Sequence, residues 1–574
     1  MSTDDARVDA RPALELVALD LRERPFTDRG SRLLVMARED GGGLWIARAE
    51  YETRLTDTTV LTGLRVRSAE TGEELAVRSA RPDRLSFAGG VDLVFADAET
   101  LVLTGSGARA HWITPEGAVR EADIEGVRVL VGTERAADVL DAAAVLDAAG
   151  RRWTAWFDRM PAVRADLRER AAVAWWTLAV NLLPIRHAGG REGLVPSKFG
   201  YVGIWNWDSY FHAIALRHAD PELARDQIRI LLDHQRPDGL IPDVVHDEGV
   251  LAETTDLPRS DHARLAEHVG QALGEPVSGA EPGAESGFES ESGDDSARSV
   301  GEVVPVTKPP LTAWAVWKIH EVDPDLSFLA EVYEPIARSQ EWWLNCSDPD
   351  GDGLAEYLHP YSSGLDDSPV WDFGPRAEPP DLNAYLALQF DVLGDIAAAL
   401  GKTEEAQRWR ERAAAHTELL VARRWDGERF TTVSAGRRVP VRTPLELMPL
   451  LTGRLPAEIA DRLVADLLSD SFWGERPVPT VAFDDPLFDP EAMWRGPVWL
   501  NVNYLLIEGL RRSGYPQVAD ELTERTVRMV AEGGGLYEYW NPLTGRRAGR
   551  ATTGFGWSSA LFTDLARRGA EDTR

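Results

Sequence analysis

Two carboxylates lie in glycine- and aromatic-rich segments that suit acid–base chemistry on a sugar. Asp366 stands in SGLDDSP, and Glu538 stands in GLYEYWNP between Tyr537 and Tyr539. Hydrolysis of a glycosidic bond needs one carboxylic acid to protonate the leaving oxygen and a second carboxylate as base or nucleophile. Either residue alone is more often a cap or a surface carboxylate. Residue type does not separate Asp366 from Asp367 as the acid.

A third cluster, in SKFGYVGIWNWDSYFHA, has the composition of a sugar-binding loop. Trp205, Trp207 and Asp208 fall within four residues at the start of an apolar stretch. Flat aromatic faces cover the C–H side of a sugar ring, and a carboxylate accepts hydrogen bonds from its hydroxyls. The alternative is that both tryptophans belong to the core and Asp208 caps a helix.

A helical array is predicted to position these residues. From about Ala136 the apolar residues recur with a period of about 3.6, which is typical of amphipathic helices. The predicted stretches are 162–182, 207–219, 221–235, 309–322, 325–346, 381–401, 403–423, 443–452, 455–469, 494–513, 515–532 and 556–569. Short turns join many of them in pairs, so six helical hairpins closing in a ring, an (α/α)6 toroid, are expected.

Five loops in this array are rich in Trp, Tyr, Gly and acidic residues, and each precedes an inner helix of the predicted ring. Their sequences are GYVGIWNWD, TKPPL, HPYSSGLDDSPVWD, FDPEAMWRGPVW and GGGLYEYWNP. A rigid scaffold often carries its functional residues on such loops. The five loops are therefore expected to meet at one end of the ring as a substrate funnel.

The N-terminal part follows a different pattern. Residues 10–135 are short alternating runs, beginning with LELVALDL, separated by glycine-rich turns, which predicts an antiparallel β-sandwich. We expect a mainly α protein with an accessory domain at 1–155, which is favoured over an independent carbohydrate-binding module, and a catalytic domain at 156–574. Within the latter, the Gly/Ser/Glu-rich stretch at about 250–300 is predicted to be a flexible acidic insertion, with a lid role left open.

Five motifs, GxWxWDxxFH, TxPPL, SGxDDSP, WRGPVW and GLxEYxNP, occur in that order over roughly residues 165–570. In this they resemble glycoside hydrolase family 63 and its relatives, including mannosylglycerate and glucosylglycerate hydrolases and, more distantly, trehalases. The resemblance implies inverting, exo-acting cleavage of an α-glycoside, with Asp366 as general acid and Glu538 as general base. It also implies sugar contacts by the following residues: Tyr201, Trp205, Trp207, Asp208, Trp494, Arg495 and Trp499.

Two positions depart from the glycerate-glycoside hydrolases. Lys308 in TKPPL stands where those enzymes tend to carry Gln, and Met493 stands where they tend to carry Tyr. Lys308 is therefore expected to lie near the sugar ring and to alter which substituents are accepted. The resemblance does not fix the sugar or the aglycone.

Composition limits the partners. A net charge of −32 argues against nucleic acid and anionic membranes, which need a basic surface. The segment MSTDDARVDARP lacks a basic-then-apolar leader, so a cytoplasmic location is expected. A single cysteine, Cys346, excludes an internal disulfide framework, and no required cofactor is predicted.

One acidic loop resembles the start of a calcium site. In DPDGDGLAE, the residues Asp348, Asp350 and Asp352 alternate as calcium ligands do, but His359 occupies the position of the bidentate glutamate. A structural calcium and a plain Asp/Gly turn both remain open.

The leading hypothesis is an inverting, exo-acting α-glycosidase that hydrolyses a small α-glucoside or α-mannoside, either a glycerate glycoside or a short oligosaccharide. The alternatives are a glycoside phosphorylase on the same scaffold and a non-catalytic glycan-binding protein. The presence of Glu538 argues against the phosphorylase, and the retention of both carboxylates argues against the binding protein.

Overall fold

The computed structural model describes residues 11–38, 40–132, 140–257 and 303–568. The predicted flexible insertion at about 250–300, including the stretch 270–299 that was expected to be dispensable for folding, lies mostly outside these ranges. No helix among the described residues combines the length and apolar character needed to cross a lipid bilayer.

The N-terminal part is a β-rich region, as the alternation predicts. Its strands are β1 Leu33–Ala37, β2 Leu44–Arg48, β3 Thr59–Ser68, β4 Val77–Ala80, β5 Leu85–Phe87, β6 Asp92–Asp97, β7 Thr100–Ile113 and β8 Val119–Val131. They form one connected sheet in the order β1-β2-β3-β7-β6-β5-β4, with β8 paired to β7 and every pair antiparallel. The two-layer sandwich arrangement remains a prediction.

The prediction of a first strand at LELVALDL is wrong. Residues Ala13–Leu16 form a 3-10 helix after Pro12, and Leu16 is buried there. A short apolar run next to a proline does not distinguish a strand from a helical turn, because it is too short to show a period of two or of three.

Helices dominate the rest of the described chain. The α-helices are α1 Ala142–Phe157, α2 Arg168–Val180, α3 Asn206–Leu216, α4 Pro221–Leu232, α5 Thr312–Val322, α6 Leu326–Cys346, α7 Pro380–Ala399, α8 Thr403–Arg424, α9 Ala457–Leu467, α10 Leu500–Arg512, α11 Pro516–Glu532 and α12 Gly556–Arg567. Short strands lie between them: β9 Leu182–Pro184, β10 Glu192–Leu194, β11 Ile204–Trp205, β12 Val244–His246, β13 Gly249–Leu251, β14 Val433–Ser434 and β15 Arg437–Arg438.

Each of the twelve predicted helical stretches contains a helix in the structure, with two informative differences. The stretch 443–452 is a 3-10 helix, Pro444–Thr452, because it holds Pro449 as well as Pro444. The stretch 494–513 becomes helical only at Leu500, because Val498 instead exchanges backbone hydrogen bonds with Trp540. The chain is thus mainly helical after residue 140, and the closed ring itself remains a prediction.

Aspartate caps fix several helix starts. Asp141 accepts the backbone N–H of Ala144 and begins α1, Asp220 accepts that of Leu223 and begins α4, and Asp325 caps α6 in the same way. The strands and helices share one hydrophobic core, in which Trp156 of α1 and Trp175 of α2 stack at 4.7 Å. The indole N–H of each donates to the backbone carbonyl of the other.

Candidate active site

The loop at residues 196–203, which carries Tyr201, is hydrogen-bonded to segments that lie far before it and far after it in the sequence. Lys198 Nζ donates to Thr27 Oγ1 at 2.9 Å and to the carbonyl of Asp28 at 3.1 Å. The backbone N–H of Glu52 donates to the carbonyl of Gly200 at 3.0 Å. From the other end, Ser197 Oγ donates to the carbonyl of Thr553 at 3.1 Å, and the N–H of Gly556 donates to that of Pro196. The position of Tyr201 therefore depends on segments far apart in sequence.

Glu538 lies at the bottom of the site. Its side chain is 4% exposed and accepts the Tyr201 hydroxyl at 3.4 Å and the Thr552 backbone N–H at 3.0 Å. Burial raises the pKa of Glu538 to about 7, although both hydrogen bonds oppose that change. Glu538 is therefore mostly ionised only above about pH 7.

Asp366 faces Glu538 from the opposite loop. The two are close enough for the Asp366 charge to contribute to the raised pKa of Glu538. The Asp366 side chain is 35% exposed and is not enclosed by the neighbouring Trp371. Trp371 instead donates its indole N–H to the Leu365 carbonyl at 2.8 Å.

Asp367, the rival for the acid role, has a structural contact. Its Oδ1 accepts the backbone N–H of Trp494 at 2.9 Å, which joins the loop of Asp366 to the loop of Trp494. Arg495 joins the same two loops through a pair of hydrogen bonds to Asp372, at 2.6 and 2.9 Å. Arg495 therefore lies at the predicted site, and its guanidinium is hydrogen-bonded to the Asp372 carboxylate.

Lys308 is the centre of a buried cluster of carboxylates. Its Nζ lies 3.2 Å from Asp243 Oδ1 and 3.9 Å from Asp366 Oδ1, and it donates to the Tyr361 carbonyl at 2.6 Å. Burial opposes the charged lysine, but Asp243, Asp366 and Asp208 together raise its pKa. Burial raises the pKa of Asp243 to about 7 and that of Asp208 well above its usual value, with Lys308 opposing both changes.

Sequence reasoning missed Asp243. It lies in LIPDVVHD, which has no aromatic or glycine-rich pattern, and it enters the site because its loop precedes β12 beside the start of α3. The carbonyl of Asp243 accepts the backbone N–H of Asn206 at 2.8 Å, two residues before Asp208. Only this tertiary contact identifies the residue.

Aromatic rings form the floor of the site. Trp494 and Trp499 stack at 3.5 Å, and Tyr539 stacks on Trp499 at 4.7 Å. Trp557 packs against Trp207 and Trp499 at 5.4 and 5.6 Å. Trp557 was also missed, although the segment GFGWSS repeats the glycine–aromatic pattern that precedes other inner helices.

The structure separates the two tryptophans of the GIWNWD loop. Trp207 is 2% exposed and belongs to the core, where Gly364 approaches it so closely that a Cβ at that glycine would lie 2.2 Å from the indole ring. Trp205 is half-buried and packs edge-on against Tyr201 at 5.6 Å. Trp207 thus lies in the core while Trp205 is partly exposed beside Tyr201, and the sugar contacts predicted for both stay predictions.

The acidic loop predicted as a calcium site has carboxylates that approach one another. Oxygens of Asp348, Asp350 and Asp352 all lie within 4.8 Å. Each also accepts a backbone N–H of the loop, which is what a plain Asp/Gly turn requires. Calcium binding therefore stays a prediction.

Comparisons with known proteins identify the family of this chain. A family model described as the mannosylglycerate hydrolase MGH1-like glycoside hydrolase domain matches residues 201–558. A mannosylglycerate hydrolase of Thermus thermophilus is 28% identical over 436 residues, which cover 64% of this chain and 95% of that protein. A glucosylglycerate hydrolase of Mycolicibacterium hassiacum is 23% identical over 439 residues, covering 63% and 92% respectively.

A solved structure also matches. The crystal structure of the family 63 mannosylglycerate hydrolase from Thermus thermophilus, in complex with Tris and D-glycerate, has a TM-score of 0.53 and 25% identity. The match covers 69% of this chain and 100% of that one. The strands β1 to β8 precede the residues that the family model matches.

Proposed function

The chain belongs to the mannosylglycerate hydrolase MGH1-like glycoside hydrolase family and is a glycoside hydrolase, and from this premise we propose that it is an inverting, exo-acting α-glycosidase of small substrates. In this proposal Asp366 is the general acid and Glu538 is the general base. The sugar is glucose or mannose, and its leaving group is glycerate or a second sugar. Relatives named mannosylglycerate and glucosylglycerate hydrolases support both sugars as candidates.

The observation that carries the proposal is the environment of Glu538. A general base must hold a water molecule in place and be able to take its proton. The hydrogen bonds from Tyr201 and Thr552 fix the Glu538 carboxylate, and burial brings its pKa to about 7, so it is a stronger base than an exposed glutamate.

Bond cleavage then proceeds in one displacement. Asp366 donates its proton to the glycosidic oxygen, and the C–O bond to the leaving group breaks. Glu538 removes a proton from water as the water oxygen bonds to the anomeric carbon from the opposite face. This arrangement requires room for a water, corresponding to a carboxyl separation of roughly 6.5–9.5 Å. An α-glycoside therefore gives the β-anomer first.

The depth of the site supports exo-action. Glu538 and the rings of Trp494 and Trp499 are buried, whereas Asp366 is 35% exposed. A sugar bound between the two carboxylates would have a closed wall beyond it and an opening on the acid side. Such a pocket accepts a terminal residue and leaves the aglycone outside.

Two structural expectations belong to the same proposal. The helical hairpins close as an (α/α)6 toroid over residues 156–574, and residues 1–155 form the accessory β domain. The loops that carry Lys308, Asp366, Trp494 and Glu538 each precede a helix, which supports their placement at one end of such a ring.

The test is a panel of α-glucosides and α-mannosides, including both glycerate glycosides and short disaccharides, with proton NMR during early turnover. The expected result is hydrolysis of at least one of them, independent of added phosphate, with the β-anomer appearing first. First appearance of the α-anomer would contradict the inverting assignment. Turnover only with phosphate would replace the hydrolase by a phosphorylase.

A further inference from the structure

Lys308 is held in place between two loops of the site. Its neighbour Thr307 contacts both of them: the Thr307 hydroxyl donates to the Ile241 carbonyl at 2.6 Å, and the Thr307 backbone N–H donates to Ser362 Oγ at 3.2 Å. The Lys308 ammonium group itself donates to the Tyr361 carbonyl at 2.6 Å. The position of the lysine is therefore fixed from both sides.

The ammonium group faces one oxygen of the Asp366 carboxyl group. Lys308 Nζ lies 3.9 Å from Asp366 Oδ1, and that oxygen is enclosed by the protein although the side chain as a whole is 35% exposed. This distance exceeds that of a hydrogen bond but allows attraction between opposite charges in a buried setting. A proton on Oδ1 would point toward a positive charge and would be out of reach of a substrate. The transferable proton is therefore expected on Oδ2.

Negative charge moves onto Asp366 during the proposed displacement. Before the reaction Asp366 carries a proton and Glu538 is ionised. Afterwards Glu538 carries a proton taken from water, and Asp366 is ionised. The attraction between Lys308 and Asp366 therefore grows as the proton leaves, so it is stronger in the transition state than in the ground state. Only an interaction of this kind lowers the barrier.

We propose that Lys308 is a positioning residue for the general acid, which orients the Asp366 carboxyl group and stabilises the carboxylate that remains after proton transfer. This role rests on the proposed function, because it takes Asp366 as the acid. The proton passes from Asp366 Oδ2 to the glycosidic oxygen, and the electron pair of the broken C–O bond stays on that oxygen. Lys308 keeps its own three protons throughout.

Asp243 balances the effect of this lysine. A lone ammonium group beside a carboxylic acid favours the ionised acid, which then has no proton to donate. Asp243 Oδ1 lies closer to Lys308 Nζ, at 3.2 Å, and offsets part of its charge. The charge of Asp366 also contributes to the raised pKa of Asp243, so the two carboxylates repel each other. Asp243 should therefore help to keep Asp366 protonated in the resting enzyme.

Other titratable groups surround the acid and its lysine from separate elements. They are Glu538, Tyr201, Asp208 in α3 and, next in the chain, Asp367. All of these groups are kept when Lys308 or Asp243 is replaced. The two replacements should therefore change the acid strength of Asp366 in opposite directions, which a purely structural role of the pair would not do.

The full chain is assayed from about pH 5 to about pH 10 on a glycoside that it hydrolyses and on the α-glycosyl fluoride of the same sugar, whose leaving group needs no protonation. Lys308→Gln removes the charge and keeps a donor for the Tyr361 carbonyl, and Asp243→Asn removes the opposing charge. The matched control is Lys318→Met, which removes a lysine of α5 that lies 2.8 Å from the buried Glu508.

Lys308→Gln should lower kcat/KM for the glycoside roughly tenfold and change that for the fluoride less than about twofold, because only the glycoside needs a proton. The basic limb of the glycoside profile should move to higher pH by about one unit in this variant, because the acid keeps its proton longer. In Asp243→Asn it should move to lower pH by a similar amount. Lys318→Met should leave the profile in place.

Equal losses on glycoside and fluoride in Lys308→Gln would overturn this role, because they would mean that Lys308 contacts the sugar or only supports the fold. So would basic limbs that move in the same direction in Lys308→Gln and Asp243→Asn, or a limb that moves as far in Lys318→Met. If Lys308→Gln does not fold, the double variant with Asp243→Asn takes its place, because it removes both members of the buried pair. The same loss confined to the glycoside supports the role, and equal losses on both substrates overturn it.

Absence of turnover with every glycoside and fluoride would refute the proposed function, and the contact between Lys308 and Asp366 is then tested by stability. Denaturant unfolding measures a double-mutant cycle of Lys308→Gln and Asp366→Asn at about pH 8 and about pH 5. Favourable coupling at the higher pH that shrinks at the lower one supports the orientation of Asp366 by Lys308. No coupling at the higher pH overturns it.

Discussion

Lys308 Nζ lies 3.2 Å from Asp243 Oδ1, and both side chains are almost completely buried, at 5% and 3% exposure. The pair lies directly behind Asp366, whose Oδ1 is 3.9 Å from the same ammonium group. A buried charge without its partner is strongly destabilising, whereas removing both charges is often tolerated. Removing one member of the pair should therefore lower the free energy of unfolding more than removing both.

Lys308→Met should lower the free energy of unfolding by about 3–5 kcal/mol, because it leaves Asp243 buried and unpaired. The double variant Lys308→Met with Asp243→Asn should recover much of this loss. Denaturant titration at neutral pH measures both. Lys402, which pairs with Glu334 and is 35% exposed, is the matched control, and Lys402→Met should cost less than about 1 kcal/mol. Equal losses for the two lysines would contradict the role of the buried pair.

The pH dependence of kcat/KM should reflect the pKa of Glu538. Because burial raises that pKa to about 7, the base is ionised only above this value, and kcat/KM should fall as pH falls through about 7. A pH–rate profile with the hydrolysed glycoside measures this acidic limb. A limb near the ordinary glutamate value would mean that Glu538 is not the base or that the free site is more hydrated.

The same burial predicts that Glu538→Gln is inactive yet more stable. The folded-state pKa of about 7 lies above the ordinary glutamate value of 4.5, so the folded protein holds more protons between these values and loses stability as pH rises through them. The cost is fully present above about pH 7. The variant should gain about 1–3 kcal/mol at pH 8 and little at pH 4. Thermal unfolding at both pH values tests the prediction, and a loss of stability at pH 8 would contradict it.

The two neighbouring aspartates should behave differently. Asp366→Asn removes the proton donor, so activity on natural glycosides should be lost while glycosyl fluorides, whose leaving group needs no protonation, are partly spared. Asp367 holds the Trp494 backbone N–H, so Asp367→Asn should retain measurable glycoside hydrolysis with reduced thermal stability. The opposite pattern, an inactive Asp367→Asn and an active Asp366→Asn, would exchange their roles.

Trp205 and Trp207 offer a second matched pair. Trp207→Ala should lower stability by about 3–5 kcal/mol as well as activity, because it opens a cavity beneath Gly364. The 2% exposure of Trp207 places this residue in the core. Trp205→Ala should weaken turnover with a much smaller change in melting temperature. Comparable melting temperatures for the two variants would place both residues at the surface of the site.

Replacing Lys198 should change the stability of the protein by an amount that depends on pH. Burial lowers the pKa of Lys198 to about 7 from the ordinary lysine value of 10.5. The charged lysine therefore destabilises the folded protein below about pH 7, and stability rises as the pH increases from about 7 to about 10.5. Lys198→Met should therefore raise stability at pH 6 by an amount on the order of a few kcal/mol, and much less at pH 10. Unfolding curves at the two pH values measure the difference. A variant that is less stable at pH 6 would show that the hydrogen bonds to Thr27 and Asp28 outweigh the burial.

The sequence predicted the helices and the loops that meet at the site, because apolar periodicity and glycine–aromatic clusters are local signals. It did not predict Asp243 or Trp557, since each reaches the other site residues only through contacts between distant segments. The burial of the individual site residues could not be predicted from local sequence patterns either. Residue type gave no means to see that Glu538 would be enclosed while Asp366 stayed partly open.

The 196–203 loop has a consequence for synthesis on the ribosome. Its contacts reach back to Thr27 and Glu52 and forward to Thr553 and Gly556. Thr553 follows Ser197 by 356 residues, so it leaves the ribosome long after the loop that it contacts. Contacts of such long sequence separation form late and slowly. A nascent chain that has already formed its N-terminal sheet therefore still lacks part of the support for Tyr201 until residues 553–556 have been translated.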